Sequence, residues 1–260
     1  MKTLSTRLLA AAALVATAAM PALAQDYYIS GSVGLVDQSN SSNEGVTGAF
    51  TTGNLGDGTT LDVAAGTDYG WETEFDSGTA FALELGMRKD SGLRFGLEGV
   101  LSSADVETHR DVTLGGGAIG ALDAASIASS ADPLGVTVAQ VVADGQGEIE
   151  QTALFLNGYY DFALSDTLSP YLGVGVGLAD VDVTYAPSGI GVIDDGQTKF
   201  AYQGKAGLTL GFDAPVEVFG EVAYRATSDV ETENTLFPGT LDVENKQLAF
   251  SAGLRFTFGQ

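Results

Sequence analysis

The sequence predicts an all-β protein, an eight-stranded antiparallel transmembrane β-barrel with short periplasmic turns and four long extracellular loops. Three observations predict it: an export segment at the start, alternation of period two in segments of about ten residues, and connections that alternate between short and long. Lys2 and Arg7 give the first segment its positive end, Leu8 to Ala19 form its apolar run, and Pro21-Ala22-Leu23-Ala24 supplies a small-x-small cleavage site. That run is shorter than the roughly 20 residues a membrane helix needs. Residues 1–24 are therefore expected to be removed, leaving 25–260 as one outer-membrane barrel domain.

The strands follow in order, each with one lipid-like face. Tyr27 to Leu35 is the first. Phe81, Leu83, Leu85 and Met87, then Leu93, Phe95, Leu97 and Leu101, mark the second and third, with Glu84, Arg88, Arg94 and Glu98 on the opposite face. In the fourth, Leu154, Leu156, Tyr160 and Phe162 point outward and Gln151, Asn157, Tyr159 and Asp161 inward. The fifth alternates Leu172, Val174, Val176 and Leu178 with Gly173, Gly175 and Gly177, which places glycine in the narrow interior. Phe200 to Phe212 forms the sixth, with Gln203 and Lys205 inward. The seventh, Val216 to Tyr224, turns Glu217, Phe219 and Glu221 inward and is followed by Arg225; the eighth, Gln247 to Phe258, turns Arg255 inward.

Lys89 to Gly92, Ala163 to Ser169 and Asp213 to Pro215 are short connections, whereas those near Asp37 to Ser77, Ser103 to Gly147, Asp182 to Thr198 and Ala226 to Lys246 are long and polar. With both termini in the periplasm, aromatics fall into two girdles. Tyr27, Phe95, Tyr160, Phe162, Phe212, Phe256 and Phe258 lie at periplasmic ends, and Phe81, Phe200, Tyr202 and Tyr224 at external ends. A soluble barrel would put these aromatics in water and the charges in its core.

The chain resembles the OmpA-like and Opa-like outer-membrane β-barrel families through Tyr159-Tyr160-Asp161-Phe162, the run Pro170 to Gly177, and the closing Gly253 to Phe258. Ser251-x-Gly253-x-x-Phe256-x-Phe258 also matches the polar-x-Gly-x-x-apolar-x-apolar assembly signal of such proteins. In the family an aromatic is usually the final residue; here Gly259 and Gln260 follow. The resemblance implies the barrel-assembly machinery as a partner, beside outer-membrane lipid and lipopolysaccharide.

The chain has 34 acidic residues against 11 basic ones, which argues against nucleic acid as a partner, and with no cysteine it forms neither disulfides nor thiolate metal sites. His109 is the one histidine. Ser102, Ser103, Asp105, Glu107 and Asp111 lie near it in sequence, but the plainer reading is a solvated loop histidine, and no catalytic residue, cofactor or metal ligand is assigned. Glu72 with Glu74, Asp194 with Asp195, and Gly53 to Gly58 suggest loose cation bridging without the ligand spacing of a calcium loop. Gly115 to Gly120 lacks the strand-then-helix context of a phosphate cradle.

The candidate site is the lumen, where Glu84, Arg88, Arg94, Glu98, Lys205, Glu217, Glu221, Arg225 and Arg255 must find partners or water. Pairing Phe212 with Val216 across the short turn sets Gly207 opposite Glu221 and Lys205 opposite Ala223, so a Lys205 to Glu221 bridge follows. The expected function is that of a structural or surface-interaction barrel. It is monomeric, with a side-chain-filled lumen and acidic loops that meet an external protein or surface ligand. A small-solute porin is the alternative, favoured if the second loop adds strands near Val136 to Val142, and an outer-membrane enzyme is the third reading.

Overall fold

A computed structural model describes residues 26–189, 191–212 and 215–258. The export segment, its cleavage site, Asp213 and Ala214 of the short turn, and the last two residues lie outside the described residues. The strands are β1 (Asp26–Gln38), β2 (Ser41–Thr47), β3 (Phe50–Thr51), β4 (Asp62–Val63), β5 (Asp68–Phe75), β6 (Gly78–Arg88), β7 (Leu93–Leu114) and β8 (Gly117–Ala118). They continue as β9 (Gly147–Asp161), β10 (Leu168–Tyr185), β11 (Ile193–Gly211), β12 (Val216–Thr227), β13 (Val230–Glu233), β14 (Gly239–Val243) and β15 (Lys246–Phe258). Two short helices, α1 (Ala125–Ala128) and α2 (Val138–Val142), lie between β8 and β9.

Antiparallel pairing runs from β1 through β6, β7, β9, β10, β11 and β12 to β15, which pairs back with β1. Every strand of this circuit thus has two neighbours, and its backbone polar groups are satisfied without water, as hydrocarbon requires. Among the described residues the main sheet holds thirteen strands where the sequence reading expects eight. The added strands continue the lines of the circuit upward. Thus β2 pairs with β5 as β1 does with β6, β2 pairs with β14 as β1 does with β15, and β13 pairs with β14 as β12 does with β15.

The expectation of long polar loops is therefore corrected, because much of each connection is wall. Strands β10 and β11 show why. Outward residues are apolar up to Leu178 and Phe200, which pair, and polar from Asp180 and Thr198, which pair next. Strand β9 switches at the same level, from Leu154 to Thr152. Inward residues change in the opposite sense: above that level Val181, Val183, Tyr185, Ile149 and Ile193 are buried and join Val106, Val230, Leu241 and Val243 in one apolar core. The apolar outside below suits lipid, and the polar outside above suits water. This upper part we call the crown.

Val138 to Val142 is helix α2, not a strand, and it starts with a capping box in which Thr137 and Gln140 satisfy each other's backbone N–H groups. It lies against β7 beyond Asp105, the last residue at which β7 pairs with β9. No helix among the described residues is long and apolar enough to cross a membrane.

Candidate functional site

Three tyrosines shape the lumen from the wall inward. Tyr28, Tyr159 and Tyr171 stand directly across from Gly86, Gly173 and Gly207 on neighbouring strands, and a Cβ on any of these glycines would strike the ring opposite. Glycine thus gives each tyrosine room to lie over the next strand and aim its hydroxyl at the centre. The Arg94 guanidinium sits 4.0 Å from the Tyr159 ring centre and 4.9 Å from that of Tyr171. Such stacking suits arginine because its planar cation is weakly hydrated.

The charges form two linked groups. In the first, Glu98 accepts from Lys205 at 2.6 Å, from Gln203 at 2.7 Å and from Asn157 at 2.9 Å, while Lys205 also meets Glu221 at 3.0 Å. Strands β11 and β12 place Lys205 opposite Ala223 and Gly207 opposite Glu221, the register that the short turn implies. Tyr171 donates to Glu221 at 2.8 Å. Glu84 accepts from Tyr28 at 2.6 Å, from Asn157 at 2.7 Å and from Tyr159, and Arg94 lies 3.6 Å away.

The second group is nearer the end of the barrel that carries the short turns. There Arg88 makes a two-pronged contact with Glu217 at 2.8 and 2.9 Å, Arg255 adds 3.0 Å to the same carboxylate, and Asp161 binds Arg94 and Arg88 at 3.2 and 3.3 Å. Arg225 is the outlying charge. Its Nε bonds Gln203 at 3.0 Å, which ties it to the first group through an amide rather than a carboxylate. Among Glu84, Arg94, Glu98, Lys205, Glu221 and Arg255 lies a cavity of about 10 Å³, about what one water needs. Sequence reading placed the nine charges inward; it did not bring out the three tyrosines and Gln203 as the joints, since nothing in alternation says which neutral side chain reaches which charge.

Of the proposed assembly residues, Phe256 and Phe258 are exposed on the outer face of β15, and Ser251 and Gly253 are partly buried on its inner face. His109 is corrected from solvated to buried, with 3% of its surface exposed. Between Val106 and Thr108, Glu107 has no partner on β5, and this bulge shifts the alternation so that His109 turns inward, opposite Thr73. Its Nδ1 lies 2.9 Å from the Thr73 hydroxyl, and Ser102, one of the serines near it in sequence, is bonded to Gln247 instead. Glu72 and Glu74, read as a candidate for loose cation bridging, both bind Arg110, at 2.8 and 2.6 Å. Among the described residues no group of three or more histidines and carboxylates is placed to hold a metal.

A family model described as "Surface antigen" matches residues 42–258. Major surface antigen 4 of Anaplasma marginale is 26% identical over 190 residues, which cover 69% of this chain and 64% of that protein, so the chain spans less than two thirds of that relative. Among solved structures, outer membrane protein OprG of Pseudomonas aeruginosa is similar with a TM-score of 0.51 at 16% identity, covering 91% of this chain and 97% of that one. Neisserial surface protein A gives 0.45 at 14% identity, with 89% and 97% covered.

Proposed function

The chain belongs to the surface antigen family and is a surface-exposed outer-membrane β-barrel protein, and from that premise we propose that it is a closed, non-enzymatic scaffold that displays its crown to the exterior. The eight lines of the pairing circuit form its membrane barrel, lipid and lipopolysaccharide surround it, and an external protein or surface ligand meets the acidic crown. Phe256 and Phe258, with Ser251 and Gly253, serve as its signal to the assembly machinery. Kinship with the OmpA-like and Opa-like barrels is part of the same reading, as is a monomeric state.

The observation that supports a scaffold over a pore is the lumen itself. Lys205, Glu98, Glu221, Glu84 and Arg94 meet across it and leave space for about one water. An apolar core stands above them. Planar-bilayer recording of the refolded protein tests this: no stable open channel is expected, and steady conductance through the wild-type protein would favour the small-solute porin.

A further inference from the structure

The crown contains a second feature that neither the plug nor the family explains. Beside β7 lies an open-sided apolar cavity of about 290 Å³, walled by Phe50, Leu61, Val63, Ile119, Leu122 and Phe237 among others. A dry void of about 150 Å³ already accepts benzene, and small-molecule pockets begin near 300 Å³. A packing defect of this size would forfeit dispersion contacts along its whole lining.

Several buried polar atoms of its lining lack partners, Trp71 Nε1, His109 Nε2 and Ser126 Oγ among them. Trp71 Nε1 and His109 Nε2 are both buried and bonded to nothing, although both side chains line the cavity. Leaving such a group unmatched costs on the order of 1–3 kcal/mol, so native proteins seldom do so without a reason. Indole nitrogen only donates, and His109 spends its other nitrogen on Thr73. The strand is also deformed here. Besides the bulge at Glu107, a second irregularity sets Asp111 and Val112 against Trp71 alone, with Asp111 at φ 54°, so His109 lies between the two bulges and Trp71 sits at the second. Bulges re-aim side chains beside functional sites.

We infer that this cavity is a binding site for a small apolar molecule of one or two rings, or a comparable hydrocarbon chain, that carries an oxygen acceptor for Trp71 Nε1 and a polar edge for His109. The site is independent of whether the lumen below conducts.

Trp71 is the single tryptophan of the chain and reports on the site directly. The test titrates amphipol-held full-length protein with 2-acetylnaphthalene and with 2-ethylnaphthalene, its counterpart without the oxygen. Saturable quenching of Trp71 at one ketone per chain is expected, with the ketone bound about five- to tenfold more tightly than the hydrocarbon. Val112→Phe, which fills the cavity, should abolish saturation; Ala64→Phe, at an exposed position of the wall, provides the same block should the first variant fail to refold. Absent quenching, non-saturable quenching that the filled variants share, or equal affinity for the two probes would overturn the assignment.

Discussion

At the scale of single residues, the lumen depends on Lys205, which is buried and stands between two carboxylates. Lys205→Met leaves Glu98 and Glu221 facing each other, and breaking a buried pair from one side costs about 3–5 kcal/mol. Glu221→Gln should cost less, because the amide oxygen can still accept from Lys205, and the Tyr171 hydroxyl, which faces the other carboxylate oxygen, can turn to accept from the amide nitrogen. The pair is also coupled: thermal unfolding in detergent should show the double variant losing less than the two single losses together, whereas strict additivity would show that Lys205 and Glu221 do not interact. Gly207→Ala tests the glycine side of the design. The added methyl meets the Tyr171 ring, so the variant should lose about 1–3 kcal/mol, and an unchanged midpoint would mean the ring is not seated there. The inward charges were legible because alternation assigns each a face. Their mutual choice was not, since Glu84 gathers Tyr28, Asn157 and Tyr159 from two other strands.

Elements were legible where outward residues are apolar. Leu172, Val174, Val176 and Leu178 announce β10, but its upper third, through Val181, Val183 and Tyr185, keeps the same alternation while reversing which face is greasy. A reading that ends a strand at its last outward apolar residue stops at Leu178 and counts the remainder as loop. Bulges were invisible for another reason: one extra residue, Glu107, resets the alternation in β7 and turns a seemingly exposed histidine inward. That histidine makes the crown sensitive to acid. Burial outweighs the opposing pull of Asp144 and holds the His109 pKa, outside the membrane, down to about 4 from its ordinary 6.5. The folded crown thus prefers neutral imidazole, and the unfolded chain takes up the proton first as pH falls. Its contribution to stability is complete above about pH 6.5 and is lost progressively down to about pH 4. Trp71 emission should therefore report a crown that loosens over this window while the barrel stays closed. His109→Phe should flatten that dependence; an unchanged pH profile in the variant would assign it to the acidic surface instead.

For the whole molecule, closure of the strand circuit is the governing fact, since a sheet without an edge offers detergent no place to begin unpairing it. The unheated protein should run faster in SDS than the boiled one, and equal mobility would count against a closed wall. The level at which the strands exchange their greasy and polar faces also acts as a waterline. Because Leu154, Leu178 and Phe200 stand shoulder to shoulder below it, and Thr152, Asp180 and Thr198 above it, a single height is marked across three neighbouring strands. Sinking by two residues, roughly 7 Å along a strand, would drag Asp180 into hydrocarbon; rising by as much would lift a belt of leucine and phenylalanine into water. The protein's draught in the bilayer is thereby set by its own sequence, and the crown rides at one fixed elevation above the lipid whatever it meets there.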